Sequence, residues 1–215
     1  PALTPNPLTP MPTLPDALRE SRHAAARTTI ALLVLAAAAA AQAPRIAPPD
    51  EQMAAAVLAL PKDQRAGATI LGYSADGKLG KLRSGTNGMT CLATDPKAKQ
   101  FHVACYHDSM EPFMARGREL RAQGVKDPEV DSVRFREAKS GKLKLPTQPA
   151  SLYTLTGPAY DAAKNEAPGA KPLYVVYIPY ATQATTGISE KPVVGAPWIM
   201  FPGTPKAHIM FVPGM

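Results

Sequence analysis

The chain has few cysteines, few aromatics and fewer acids than bases. Two cysteines in 215 residues exclude a four-thiolate zinc site and a disulfide-dense scaffold. No run of 18 or more large apolar residues occurs, which excludes a multi-span membrane protein. The 15 glycines fall in no triplet period, so the chain is not collagen-like. There is no Gly-rich phosphate loop, no dinucleotide fingerprint and no Asn-x-Ser/Thr acceptor. Acidic residues number 17 against 24 basic, for a net charge of +7. Hydrophobic residues make up 45% and charged residues 19%, enough apolar content for a core and too much for wholesale disorder. The length suits one domain with a tail.

The tail is N-terminal. Residues 1–17 are a Pro-rich extension, read as non-native or disordered sequence or as a flexible arm, because six prolines in the first 15 positions forbid a helix or a central strand. Residues 18–41 have the layout of a secretory signal peptide. Arg19, Arg22 and Arg27 precede the charge-free run TTIALLVLAAAAAA, and small residues follow it. Cleavage after Ala41 exposes Gln42; retention as an uncleaved anchor is the alternative. No Cys follows the apolar run and no twin Arg precedes it, so the general secretory route applies.

Residues 42–67 read as a linker and a short helix, with Asp50 as cap and Pro61 after the end. Residues 68–215 read as a single α+β domain: an antiparallel sheet of about five or six strands with two or three helices on one face. Asp76-Gly77 between apolar runs marks a hairpin. Asp108 and Glu111 fit a capping box for a helix that stops at Gly124, and Asp127-Pro128 opens a second helix that ends at Ser140-Gly141. The stretches 151–157, 172–179 and 207–213 are rich in strand formers, and 181–197 reads as irregular.

A further hairpin is expected over 89–107. Placing Cys91 opposite Cys105 centres its turn at Ala98 and sets Leu92 opposite Ala104 and Ala93 opposite Val103. Antiparallel partners come close enough for a disulfide, and an exported chain meets an oxidising compartment, so one Cys91–Cys105 bridge is expected. Two buried reduced thiols are the alternative.

Gly77, the run Leu82-Arg83-x-Gly85-Thr86-Asn87-Gly88-x-Thr90-Cys91-Leu92, Cys105 with a Met-containing helix behind it, and Ala207-His208-Ile209-Met210 near the end form a pattern. It resembles an uncharacterised group of exported bacterial proteins. The resemblance covers about the central third and the last strand, and departs at Met89, where members often carry an aromatic. It implies export and a hairpin core, and no activity.

Candidate chemistry is thin. His107, His208 and Glu111 are the candidate metal ligands, conceivable together only if the strand ends at Tyr106 and His107 turns toward the helix. His107-Asp108-Ser109 holds triad residue types as sequence neighbours, which rarely converge. Paired carboxylates among Asp108, Glu111 and Glu119 have a plainer reading in capping and ion pairing. Tyr174, Tyr177, Tyr180, Trp198 and Phe201 could line an apolar groove, although ordinary sheet packing explains them as well. From Arg116 to Lys144 there are nine bases against five acids. Arg116, Arg118, Arg121, Arg134 and Arg136 are the anion-binding candidates, and an anionic cell-envelope component is the partner they suit. Interleaving of the two signs at helical spacing is equally the mark of a solvated, salt-bridged face. Only Phe135 interrupts the stretch, so nucleic acid is not the expected partner. No cofactor is expected, and no membrane span after signal cleavage.

These readings converge on an exported domain, periplasmic or secreted, with a binding or structural role rather than an enzymatic one. Two alternatives stand beside it. One is a periplasmic hydrolase or metal-dependent enzyme using His107, His208 and nearby carboxylates. The other is a surface-associated protein that binds anionic polymers or lipid headgroups through 116–144.

Overall fold

The structure, a computed structural model, describes residues 46–212, so the Pro-rich extension, the signal-peptide segment and the cleavage point lie outside the described residues. Those residues form four helices, α1 (Pro49–Ala56), α2 (Glu111–Ala122), α3 (Glu129–Lys139) and α4 (Gln183–Thr186). The eight strands are β1 (Thr69–Tyr73), β2 (Leu79–Arg83), β3 (Met89–Leu92), β4 (Phe101–His107), β5 (Ala150–Gly157), β6 (Lys171–Tyr177), β7 (Trp198–Met200) and β8 (His208–Phe211). All eight join one sheet in the order β2-β1-β3-β4-β5-β6-β8-β7. The class is α+β as the sequence predicts, but the sheet exceeds the expected five or six strands. It is also mixed, because β1 and β3 run parallel.

The hairpin at 74–77 forms as its Asp-Gly turn requires, with Gly77 at φ +77° and Ser74 and Lys78 closing the turn. The chain then crosses back through 84–88 to lay β3 on the far side of β1. That crossing hugs the backbone before β1: the Thr86 and Asn87 amides both donate to the Gly67 carbonyl. A Cβ at Gly85 would lie 2.2 Å from the Thr69 nitrogen, so glycine is required there. Asn87 donates to the Gln64 carbonyl and accepts from the Met89 amide, which pins the entry to β3. The Gly85–Met89 segment therefore has a packing role.

The Cys91–Cys105 bridge is present, with Cα atoms 4.0 Å apart. Leu92 pairs with Ala104 as expected, whereas Ala93 leaves the β3–β4 ladder and donates its amide to Leu71 on β1. Side chains alternate across a strand, so Cys105 and Tyr106 mark the two faces. On the cysteine face, Ala56, Val57 and Leu60 pack on Ile70, Cys91 and Cys105. On the tyrosine face, Met110 and Met114 pack with Tyr106, Leu152 and Val175. The helices thus cover both faces, not one as the sequence suggests. Periodicity shows that a helix has an apolar side, not which side of a sheet receives it.

Helix α1 begins without a side-chain cap; Asp50 sits inside its first turn, where it favours the helix dipole. Gln52 anchors the helix instead. Its buried amide donates to the Ala47 and Tyr73 carbonyls and accepts from the Tyr73 amide. Gly72 makes room, since a Cβ there would sit 2.6 Å from the Gln52 oxygen.

The bridge closes a loop of sequence separation 14, which constrains the unfolded chain by ~3 kcal/mol. Replacing both cysteines by alanine is expected to lower stability by about that amount. A urea unfolding midpoint that does not fall would contradict the placement of the bridge at the centre of the sheet.

Candidate functional site

The structure separates the three metal candidates. His107 lies on the cysteine face at the end of β4, exposed, with its Nδ1 2.8 Å from the Ser109 hydroxyl and accepting from the Ser109 amide. It caps the turn that leads into α2, the role the capping box assigned to Asp108. Asp108 is drawn off by the Thr90 hydroxyl, which donates to it at 2.5 Å. Glu111 does not reach back along the chain either. It accepts from the Tyr106 hydroxyl at 2.5 Å and pairs with Arg118 at 2.6 Å, and Arg118 also donates to the Tyr106 oxygen. Burial first, then Glu111, pushes the Tyr106 phenol well above its ordinary value. His208 lies on the tyrosine face of β8. The order β4-β5-β6-β8 puts it three strands from His107, ~14 Å across the sheet. Among the described residues, no group of three His, Cys, Asp or Glu could hold a metal ion.

His208 instead belongs to a buried cluster between α3 and β6–β8. Its Nδ1 lies 2.7 Å from the Lys206 carbonyl, and its ring packs against Tyr177 and Phe201 at 4.8 and 5.7 Å between centroids. Lys206 pairs with Asp131 at 2.8 Å, and Asp131 also pairs with Arg134. Arg134 is only 4% exposed, lies over the Phe113 ring and donates to the Phe113 carbonyl. Gly117 admits it, since a Cβ there would meet its Nη1 at 2.9 Å. Burial alone would raise the Asp131 carboxyl; the hydrogen bonds from Lys206 and Arg134 outweigh it and hold the group below its usual value. Burial pushes the Tyr177 phenol up to about 12 and pulls His208 down.

Four of the five anion-binding candidates are already matched. Arg116 holds Glu137 and Glu119, Arg118 holds Glu111, Arg121 holds Asp127, and Arg134 holds Asp131. Only Arg136 of the five has no carboxylate within ion-pair distance among the described residues. Sequence order could not reveal which bases the fold would neutralise.

Of two concavities, one went unread in the sequence and the other was read in part. A cleft of about 330 Å³ opens between the first turn of α1, the β3–β4 turn and the loop after β5. Glu51, Ala55, Asp95, Lys99, Phe101 and Tyr160 contribute to its walls, and the last two rings stack at 5.8 Å. A depression of about 290 Å³ lies at Tyr174, Pro197, Trp198 and Phe211. It brings Tyr174 and Trp198 together, as an aromatic groove requires, but Tyr177 and Phe201 pack against His208 instead.

These features define a disulfide-stapled α+β domain in which His107, His208, Glu111 and four of the five candidate arginines are engaged by local partners. No protein-family model, curated protein or solved structure matches the chain.

Two measurements probe the buried cluster. Asp131→Asn leaves Arg134 buried beside a neutral partner and is expected to destabilise by about 2 kcal/mol, at the low side because Asp131 is partly exposed. Glu119→Gln, at an exposed pair, should change stability by less than about 0.5 kcal/mol. Equal effects in chemical denaturation would contradict this contrast. The depressed His208 gives stability that is fully present above the ordinary histidine value of 6.5 and is lost as pH falls through the folded value. Between pH 7 and 5 the melting temperature of His208→Gln should therefore fall less steeply than that of the parent protein. Lys206, Arg134, Asp131 and Tyr177 are shared by both proteins, so parallel slopes would contradict the assignment.

Proposed function

We propose that the chain is the precursor of an exported domain, periplasmic or secreted, that works by binding or as a structural element rather than by catalysis. The observation that carries this reading is the Cys91–Cys105 bond, whose two residues are fully buried in the core. Structural disulfides persist in oxidising compartments and are rare in a reducing cytosol. The signal-peptide layout of 18–41 supports the same destination. No described helix is long and apolar enough to cross a membrane.

The cleft beside α1 supports the binding half of the reading. Its volume falls within the range of small-molecule sites, with a stacked aromatic pair in its wall and polar groups at its rim. The enzymatic alternative draws less support, because His107 and His208 stand on opposite faces and each already has a local partner. Kinship with the uncharacterised exported group is proposed on the same residues that suggested it.

The test is the intact mass of protein recovered from an exporting host, before and after reduction and alkylation. The expected result is the mass of residues 42–215, with alkylation only after reduction. An uncleaved mass with two freely alkylated cysteines would overturn the reading and leave the alternative of two reduced thiols.

A further inference from the structure

Ion pairing sorts the interleaved charges of 116–144 into two groups. Arg116, Arg118, Arg121 and Arg134 are matched by carboxylates. Among the described residues, Lys126, Arg136, Lys139, Lys142 and Lys144 have none within ion-pair distance, and all five are exposed; Lys126 stands alone between α2 and α3, whereas the other four cluster at the end of α3. They fall within nine residues that contain one acid, Glu137, and Arg116 holds that carboxylate through two hydrogen bonds. Arg136 and Lys139 are three apart on the last turn of α3, hence neighbours on its surface. Leu143 is buried between Lys142 and Lys144, so the two lysines leave the chain on the side away from the core. Arg116 above all, with Lys142 and Arg136 adding to it, holds the Glu137 carboxyl below its usual value. The helix dipole accounts for cations on the last turn, but not for two more in the loop beyond it.

We infer that the ridge Arg136–Lys139–Lys142–Lys144 docks the domain on an anionic lipid bilayer. The inference rests on the export reading, which brings the domain to envelope lipid. Neither concavity described above includes a residue of the ridge, and the ridge offers no large apolar side chain for insertion. Four outward cations without an enclosing pocket suit an extended array of phosphates more than one bound anion. Each cation near an anionic surface strengthens binding about fivefold, and the attraction is screened within a Debye length of ~8 Å at physiological salt.

The test is co-sedimentation of the oxidised protein with vesicles of phosphatidylcholine, with and without phosphatidylglycerol. Binding is expected only to the anionic vesicles and should fade as salt rises. The variant R136Q/K139Q/K142Q/K144Q should lose more than about tenfold in affinity, and K142Q/K144Q, outside the helix, an intermediate amount. A control with the same charge change elsewhere, K62Q/K81Q/K97Q/K191Q, should lose less than about threefold. Equal losses in ridge and control variants would overturn the proposal, because net charge alone would then explain binding. Binding to soluble polyphosphate but not to vesicles would also overturn it. Vesicles that ignore an oxidised, correctly cleaved protein sink the bilayer and leave export standing; free thiols and an uncleaved mass sink export itself.

Discussion

The sheet depends on the row that runs through Cys91, Cys105, Tyr153 and Tyr174. The disulfide joins β3 to β4 inside that row, and the register continues from Cys105 to Tyr153 and from Tyr153 to Tyr174. The core that α1 and the segment after it form on the cysteine face is built on it. The Cys105 sulfur lies 3.3 Å from the Ala56 carbonyl, so the end of α1 rests directly on the bridge. The crossing loop 84–88 exists to bring β3 into that position, and Gly85 is the residue that lets it approach the start of β1. Covalent closure at the centre, rather than at an edge, restrains strands on both sides of the bond.

The other face is organised by charge. Arg134 is taken almost fully out of water, and it is accommodated by a ring face, a backbone carbonyl and Asp131, which Lys206 also holds. The cluster ties α2, α3 and the segment before β8 into one unit. Removing one charge of such a set leaves another buried without its partner, so the set is retained or lost together. The same sorting ties up four of the nine bases of the 116–144 stretch and leaves four of the other five clustered at the end of α3 and just beyond it. Structural pairing and the surface available to a partner are thus two outcomes of one arrangement.

Much of the fold was legible in residues with strong local chemistry. Asp76-Gly77 sets a turn whatever surrounds it, Gly124 and Gly141 end helices at positive φ, and the matched spacing around Ala98 paired the cysteines. What could not be read depended on neighbours distant in sequence. The parallel β1–β3 pair follows from where the crossing loop lands. β7 has three residues between irregular segments, too few to show a period. Asp108 and Glu111 make a sound capping box on paper, but Thr90 and Arg118, brought in by the fold, compete for them. Of the candidate site, the Cys pair was legible because it lies in one hairpin. The cleft was not, because Glu51, Asp95 and Tyr160 come from three separate segments.

Native-state hydrogen exchange on oxidised and reduced protein addresses the central claim most directly. The account predicts that the amides of β3, β4 and β5 around Cys91, Cys105 and Tyr153 exchange slowest in the oxidised protein. On reduction they should lose protection together, along with α1. Exchange of β3 and β4 as fast as the edge strands β2 and β7, or protection unchanged by reduction, would contradict the disulfide row as the centre on which the structure is built.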